Sequence, residues 1–413
     1  MSRTEVALFD SLAGGERGED ASVVQRALAA MRAHLGMDIA YISQFVGDEM
    51  ILREVDAPGQ EALAKVGDAH SLNDTYCRDI LAGRLPGLMR NTAAEPLAAS
   101  MPITGAIPIG RHMSVPVRLA DGSEYGMFCC LGFAPDETLH ERDLGMMRAF
   151  AELASFEINR EVEAKRVMTE ARSRINAVMG DQLFSIAYQP IVDIASGHPI
   201  GMECLSRFQS GAPDGWFAEA ADVGLGVALE LAAIDKALSA LPHFPESIYL
   251  AVNASPDTIL SGGLATLMRD LPGYRLVLEI TEHATVADYD ALRAALKPLR
   301  ERGVSVAIDD AGAGYSSLRH ILALEPDLIK LDMSLTRNIC IDPARKALAA
   351  ALISFARETG SRIIAEGVET AAELATLQAL GVEKAQGYFL GRPMALDAAV
   401  RLFATRNTAA NVA

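Results

Sequence analysis

The sequence predicts an α/β protein whose larger part is a modified TIM (β/α)8 barrel with one antiparallel strand, preceded by a small α+β domain and a long connecting helix. After Asp181, short apolar segments alternate with helical segments over the rest of the chain. The first two of these segments are joined only by "ASGH", a link short enough to make them antiparallel. Before Leu139, hairpins and helices follow one another without a strand-helix-strand repeat, which indicates an antiparallel sheet.

Length and charge limit the classes of protein that the chain can belong to. A chain of 413 residues is longer than a domain with one ordinary hydrophobic core, so two domains are expected. The formal net charge of −17 makes a polymeric nucleic acid an unsuitable partner, whereas a small phosphate ester remains suitable if metal ions supply positive charge. No apolar stretch reaches the ~20 residues that span a bilayer, and the N-terminus lacks a signal-peptide pattern, so no membrane span is expected.

The cysteines favour a cytoplasmic location. They are odd in number and lack the CxxC spacing of a metal site, which suits reduced thiols. The set comprises Cys77, Cys129, Cys130, Cys204 and Cys340.

The N-terminal part divides into an expected tail, residues 1–20, and a domain of residues 21–145. Its first segment has Val24, Leu28 and Met31 at helical spacing. "DIAYISQF" and "EMILREV" then predict two strands across the turn "VGD". "HMSVPVRL" and "EYGMFCCLGF" flank "ADGS", in which Asp-Gly is a strong signal for a tight hairpin turn.

Residues 146–180 predict one long helix, since neither Pro nor Gly occurs between Met146 and Met179. Apolar residues such as Phe150 and Ile175 keep an approximate three-four spacing along it. Two interpretations remain open. The helix is either a solvated domain linker or, as the spacing favours, a helix that pairs with its copy in a homodimer and carries signals between domains.

The predicted barrel, residues 181–413, has polar side chains where its strands end. Working residues of such barrels gather at the C-terminal ends of the strands, so these positions are candidates for a site. Glu203 lies within the second predicted strand, and Arg207 follows four residues later. The other candidates at strand ends are Asn253, Glu279, Asp309, Asp310, Lys330, Asp332, Glu366 and Gln386.

The candidate set suits a pair of metal ions. Any one of these residues alone is more often a helix cap, a turn former or part of a rim salt bridge. Several carboxylates at one mouth would repel one another unless cations lie among them, and carboxylate and amide oxygens favour Mg²⁺ or Mn²⁺. Adjacent Asp309 and Asp310 suit a two-metal clamp on a phosphodiester. Lys330 would either orient the attacking water or pair structurally with Asp332.

Residues 175–405 contain a series of motifs in a fixed order: "YQPIVD", "ECLSR", "NASP", "EITE", "DDAGAGYSSL", "IKLD", "AEGVET" and "QGYFLGRP". Through this series the segment resembles the EAL domain family of cyclic di-GMP phosphodiesterases. The resemblance implies hydrolysis of cyclic di-GMP to linear pGpG at a two-metal site that holds Mg²⁺ or Mn²⁺. It implies one metal ion bound by Glu203, Asn253, Glu279 and Asp309, and a second bound by Asp309, Asp310 and Glu366.

The same resemblance implies roles for the remaining candidates. Lys330 matches the lysine that contacts the attacking water, and Gln386 matches the glutamine at the metal-water site. Glu282 matches the glutamate that anchors the loop after Asp310. Positions that line the substrate are matched by Gln189, Leu205, Arg207, which would bind phosphate, Asn253, Asp332 and Glu369.

The sequence departs from the family pattern in three places. Cys204 replaces the middle alanine of the naming motif, a small-for-small change that we expect to be tolerated. Ala311 and Ala313 replace the usual Phe and Thr of a loop that couples the metal site to dimerisation in the family. We expect a more mobile loop and low basal activity as a result. The alternative is therefore an EAL-type receptor that binds cyclic di-GMP, cleaves it slowly and signals through the linker helix. An unrelated barrel enzyme such as an aldolase would require the motif series to be accidental.

The segment of residues 20–160 combines the sheet pattern described above with "LNDTYCRDILAGRLPGLMRNT" followed by "IGRHMSVPVRLADGSEYGMFCC". Through these features it resembles, more weakly, a GAF domain. It implies a sensor for an unknown small molecule or signal, or a dimerisation domain. Cys77 is either a buried structural residue, which we favour, or a redox or chromophore thiol, although no His follows it as in many bilin-binding relatives.

Overall fold

The structure is a computed structural model that describes residues 22–181, 183–280, 286–312 and 315–410, without the side chains of 315–317 and 404–410. It forms two compact units, Met1–Val167 and Met168–Ala413, which divide inside one long helix, Glu141–Gly180. None of the described helices has the length and hydropathy needed to cross a membrane.

The N-terminal unit contains a six-stranded antiparallel sheet in the order β3-β2-β1-β6-β5-β4. Both predicted hairpins are present, because β1 pairs with β2 and β5 with β6. The short outer strands β3 and β4 were not predicted, since two or three residues carry no periodicity. The strands are β1 (Ile39–Val46), β2 (Glu49–Asp56), β3 (Ala69–Ser71), β4 (Leu88–Met89), β5 (Arg111–Arg118) and β6 (Glu124–Gly132).

Alternation along β6 divides the core of this unit between the two faces of the sheet. Phe128 and Cys130 belong to the cluster that packs against the first helix and the start of the long helix. Cys129 faces the other cluster, under the short helices, where Cys77 is also buried. The helices are α1 (Val23–His34), α2 (Cys77–Leu81), α3 (Pro96–Ala99), α4 (Pro102–Ala106) and α5 (Glu141–Gly180), with a 3-10 turn at Thr92–Ala94.

The second unit is a closed barrel in the order β10-β11-β12-β13-β14-β7-β8-β9. β7 is antiparallel to both of its neighbours, β8 and β14, so the predicted inverted strand is confirmed. The remaining neighbours are parallel, as repeated strand-helix units require. The strands are β7 (Phe184–Asp193), β8 (His198–Phe208), β9 (Tyr249–Ala254), β10 (Leu276–Ile280), β11 (Ser305–Ala311), β12 (Leu328–Leu331), β13 (Arg362–Ala365) and β14 (Lys384–Ala385).

Helices cover the outside of the barrel and bury an apolar layer against its strands. Short 3-10 turns lie at Leu241–His243 and Gly273–Arg275. The helices are α6 (Pro213–Asp222), α7 (Gly226–Leu238), α8 (Pro256–Leu260), α9 (Gly263–Leu267), α10 (Tyr289–Glu301), α11 (Tyr315–Leu324), α12 (Met333–Thr336), α13 (Pro343–Thr359), α14 (Ala371–Ala379) and α15 (Leu396–Ala410).

The last strand is shorter than the predicted segment "AQGYFL". β14 ends at Ala385, and the chain then turns away, with φ 157° at Gly387. A Cβ at Gly387 would lie 2.2 Å from the backbone of Val368, so the close approach of these two segments needs glycine. The Phe389 N–H donates to the Val368 carbonyl at 3.0 Å, which joins the loops that follow β13 and β14.

Candidate active site

Strand alternation places the polar candidates in one layer inside the barrel. The layer beneath them is apolar and contains Ile191, Ala251, Val277, Ala307, Leu328 and Ile364. Side chains two residues apart on a strand face the same side. Two residues beyond the apolar layer, the parallel strands therefore present Asn253, Glu279, Asp309, Lys330 and Glu366. On the inverted strand β7 the polar residue comes two positions earlier, at Gln189.

Lys330 lies at the centre of this layer and is fully buried. Its Nζ is 2.8 Å from Glu279 and 2.8 Å from Glu366. It is also 3.0 Å from Asp309 and 3.3 Å from Glu203. The structure therefore brings four of the predicted metal-ligating carboxylates together around one lysine. Lys330 pairs with these four carboxylates rather than with Asp332, the alternative that the sequence left open.

The charges in this layer shift one another's protonation. Burial opposes the charge on Lys330, but Asp309, Glu203, Glu279 and Glu366 outweigh it and raise the pKa of Lys330 well above its ordinary value. Burial raises the pKa of Glu279 and that of Glu366 well above the usual range for a carboxyl group. Burial acts in the same direction on Glu203, but Lys330 and a hydrogen bond from Gln386 prevail and lower the pKa of Glu203.

Two groups of carboxylates have the spacing of metal ligands, and they share Asp309. Glu203, Glu279 and Asp309 offer oxygen atoms within 4.8 Å of one another, and so do Asp309, Asp310 and Glu366. These groups contain the carboxylates that the family resemblance assigned to the first and to the second metal ion. A shared carboxylate between two groups is the arrangement that a two-metal site uses.

The donor atoms of this layer fit a hard divalent cation. Glu279 Oε1 and Gln386 Oε1 are buried and have no hydrogen-bond partner among the described residues. A buried oxygen without a donor is costly, and a cation would satisfy it. Oxygen ligands of this kind suit Mg²⁺ or Mn²⁺, and Asn253, which hydrogen-bonds to Glu203, would add an amide oxygen.

Two glutamines connect the acidic layer to the inverted strand. The Gln386 side chain donates from Nε2 to the Glu203 carboxylate, and also to Gln189 Oε1 at 3.0 Å. Gln189 in turn donates to the Gly391 carbonyl at 3.0 Å. This chain of hydrogen bonds fixes the orientation of Glu203, which is 6% exposed.

Two of the predicted substrate-lining residues, Gln189 and Asn253, belong to the acidic layer, and the other four lie farther out, around the rim. Arg207 is exposed, and its Nη1 donates to the Ser206 carbonyl at 2.8 Å. Leu205 is half-buried on the same strand. Asp332 caps helix α12 by accepting from the Ser334 N–H at 2.9 Å. Glu369 forms an ion pair with Arg337 at 2.5 Å.

The end of β11 and the loop that follows it have unusual backbone geometry. Asp310 has φ 53°, a left-handed conformation that non-glycine residues rarely adopt, and Gly312 has φ 108°. Ala311 is fully buried and pairs with Leu331. Ala313 and Glu282, to which the sequence gave roles in this loop, lie outside the described residues.

Glu373 is a supporting residue that sequence reasoning missed. It is 3% exposed and accepts hydrogen bonds from the backbone N–H groups of Asn338, Glu369 and Thr370. It thereby holds together the loops that carry Glu369 and Arg337. The signal for it was present as "TAAE", the pattern of a capping box at the start of α14.

A closed barrel with two groups of carboxylates at the carboxyl ends of its strands is typical of the class of barrels that can hold divalent metal ions. Within that class, residues 172–393 match the model of the EAL domain, and residues 20–159 match a GAF domain model. The chain belongs to the EAL domain family and carries an N-terminal GAF domain.

Relatives and solved structures agree with this assignment. The cyclic di-GMP phosphodiesterase PA2567 of Pseudomonas aeruginosa is 32% identical over 244 residues, 56% of this chain and 42% of the relative. An uncharacterized signaling protein of Caulobacter vibrioides is 28% identical over 371 residues, 87% of this chain and 42% of the relative. The chain thus spans less than half the length of these curated relatives.

Among solved structures, the PaMucR phosphodiesterase in complex with c-di-GMP aligns with a TM-score of 0.51 at 30% identity, covering 56% of this chain and 99% of that one. The EAL enzyme Bd1971, in a form with bound cAMP and cyclic di-GMP, aligns with a TM-score of 0.55 at 18% identity, over 89% of this chain and 93% of that one. The latter likeness concerns the fold alone.

Proposed function

We propose that this chain hydrolyses cyclic di-GMP to linear pGpG with Mg²⁺ or Mn²⁺, under the control of its GAF domain. The observation that carries the proposal is the pair of carboxylate groups joined by Asp309 around the buried Lys330. The 32% identity to a cyclic di-GMP phosphodiesterase supports the choice of substrate. The homodimer and the cytoplasmic location expected from the sequence stay predictions.

Each residue of the layer has a distinct part in the proposed reaction. Glu203, Asn253, Glu279, Asp309, Asp310 and Glu366 would hold the metal ions. A bound pair of divalent ions lowers the pKa of water and stabilises negative charge on a phosphodiester. Lys330 would position the attacking water by hydrogen bonding from Nζ. The Gln189 and Gln386 amides would keep Glu203 oriented, and Arg207 would bind a phosphate oxygen of the substrate.

A second function, a receptor with slow cleavage, is favoured by one feature. Ala311 and Ala313 stand where the family has Phe and Thr, in the loop that follows Asp309 and Asp310. A loop without its aromatic anchor would support binding better than turnover, because the metal ligands would be held less rigidly.

One assay separates the two functions. The 413-residue chain is incubated with cyclic di-GMP and Mg²⁺ or Mn²⁺, and pGpG is followed by chromatography while binding is measured by equilibrium dialysis. We expect pGpG to accumulate in proportion to enzyme concentration. If cyclic di-GMP binds but no pGpG forms with either metal, the proposed hydrolase function is wrong and the receptor function remains. Glu279→Gln should abolish product, whereas Glu301→Gln, at an exposed position on α10, should not.

A further inference from the structure

The inverted strand brings the end of the long helix to the mouth of the barrel. Because β7 runs opposite to the parallel strands, its first residue lies where those strands end. There Phe184 pairs with Phe208, and Ser185 pairs with Arg207. Helix α5 ends only a few residues earlier, and the Leu183 N–H donates to the Val178 carbonyl at 3.0 Å. The helix therefore leads directly into the edge of the barrel that carries Arg207.

An aromatic cluster connects this edge to the neighbouring helix α6. The rings of Phe208 and Trp216 are stacked, with centroids 5.1 Å apart and planes 12° apart. Phe208 also meets Phe184 at 5.7 Å and Phe217 at 5.8 Å. The Trp216 indole N–H donates to the Ser210 carbonyl at 2.7 Å. We call these four rings, of Phe184, Phe208, Trp216 and Phe217, the junction cluster.

The last turns of α5 pack against the junction cluster. Ile175 is fully buried in the group of apolar residues that includes Phe208, Trp216 and Phe217. Val178 lies in the neighbouring group together with Phe184. Outside these apolar contacts, Arg174 on α5 forms an ion pair with Glu219 on α6. The end of the helix is thus fixed to the cluster by both packing and charge.

Phe208 and Arg207 are consecutive residues on β8 and face opposite sides of the strand. Because the two residues share one stretch of backbone, a displacement of Phe208 that its side-chain torsions do not absorb would move the backbone that carries Arg207. Arg207 is exposed at the rim, whereas the acidic layer is held by the buried Lys330. A rearrangement of the junction cluster would therefore change the position of Arg207 more than the positions of the metal ligands.

We propose that Phe208 and Trp216 are positioning residues for Arg207, and that the Met168–Gly180 part of α5 sets their position. The inference rests on the proposed function, in which Arg207 binds a phosphate oxygen of cyclic di-GMP. It places control of the reaction at substrate binding rather than at the metal centre. Displacement of a binding group by about 1 Å is enough to lower activity strongly.

Trp216 provides the test, because it is the single tryptophan of the chain. Cyclic di-GMP is titrated into the metal-free 413-residue chain, with binding measured by equilibrium dialysis and Trp216 fluorescence recorded in parallel. We expect a fluorescence change that saturates with the dissociation constant found by dialysis. In Arg207→Ala, ligand that still binds at higher concentration should leave the fluorescence unchanged.

Steady-state kinetics with Mg²⁺ separate positioning from a general structural role. Trp216→Ala should raise KM about tenfold with kcat changed less than about twofold, since an aromatic pair of this kind contributes on the order of one kcal/mol. Trp216→Phe keeps a ring on Phe208 and should restore most of the KM. Arg174→Ala should raise KM by a smaller factor, and Arg166→Ala, whose partner Glu163 lies on the same helix, should leave it unchanged.

The outcomes of these experiments are distinguishable. Binding by dialysis without any fluorescence change, or a Trp216→Ala variant whose kcat falls while KM stays constant, would overturn the positioning role and leave the proposed function intact. A fluorescence change that persists in Arg207→Ala would also overturn it. Absence of binding by dialysis together with absence of pGpG would remove the proposed function, and this inference with it.

Discussion

Lys330 in the barrel and His112 in the GAF domain are both buried basic side chains, yet their surroundings shift their pKa values in opposite directions. Four carboxylates surround Lys330 within 3.3 Å and raise its pKa well above the ordinary value, although burial opposes this. Burial alone lowers the pKa of His112 to about 3. Burial by itself neutralises a basic group, and only opposite charges at contact distance reverse that effect.

The two surroundings also differ in what they can bind. His112 lines a small cavity whose other lining residues are mostly apolar, with His70 and Cys77 among them, and its Nδ1 has no hydrogen-bond partner among the described residues. The Tyr76 ring packs edge-on against it, with centroids 5.0 Å apart. The barrel layer, by contrast, concentrates negative charge around one cation. Of these two sites, the barrel layer has the oxygen-rich composition that suits a hard divalent cation.

The largest effect should come from removing the carboxylate that joins the two ligand groups. Asp309→Asn keeps the shape of the side chain but removes the charge shared by both groups. We expect cyclic di-GMP cleavage to fall by at least about 10³-fold, or about 4 kcal/mol of lost transition-state stabilisation. The rate of cleavage is measured by chromatographic detection of pGpG. Asp342→Asn is the matched control, because Asp342 caps α13 and Asn caps a helix equally well. Wild-type rates in Asp309→Asn would refute the metal assignment.

Replacing Lys330 with a neutral residue should destabilise the barrel, because the carboxylates around it would then repel one another. Lys330→Met leaves four carboxylates facing one another, and loss of one partner of a buried ion pair costs about 3–5 kcal/mol. Urea denaturation of the metal-free protein should show this loss, and Mg²⁺ should recover part of it by supplying positive charge. The control is Lys297→Met on α10, whose lysine is exposed and 4.0 Å from Glu301. Equal loss of stability with and without Mg²⁺ would contradict the account.

The barrel and most of its acidic layer could be predicted from sequence because each rests on local, periodic signals. The strand-helix alternation predicts the barrel, and the polar residue at each strand end follows an apolar one by two positions, as in Ala307 and Asp309. The short "ASGH" link predicted the inverted strand, and the antiparallel pairing of β7 with both of its neighbours confirms it.

Other features depend on long-range contacts that no local pattern records. The sequence did not show that Lys330 contacts four carboxylates, because three of those residues come from three other strands and Glu366 directly follows a fourth. It also overestimated the last strand, since the constraint at Gly387 comes from Val368 on another loop. The burial of His112 likewise follows from the sheet, short helices and long-range packing of the GAF domain, and nothing in "IGRHMSV" alone indicates it.

The smallest of these effects concerns pH and the uncompensated His112. Its pKa is about 3 in the folded protein against an ordinary value of 6.5, so the unfolded chain binds more protons between these pH values. The free energy of unfolding is therefore at its full value above pH 6.5. It falls as the pH is lowered toward 3, by about 2 kcal/mol between pH 7 and pH 5.

Hydrogen exchange of β5 peptides, corrected for intrinsic rates, should show this dependence of stability on pH in the wild type. His112→Phe keeps a ring against Tyr76 without a titrating group and should flatten the slope, whereas His243→Gln, at an exposed position, should retain it. An unchanged slope in His112→Phe would mean that another group causes the acid sensitivity, and the contrast with Lys330 would then not rest on His112.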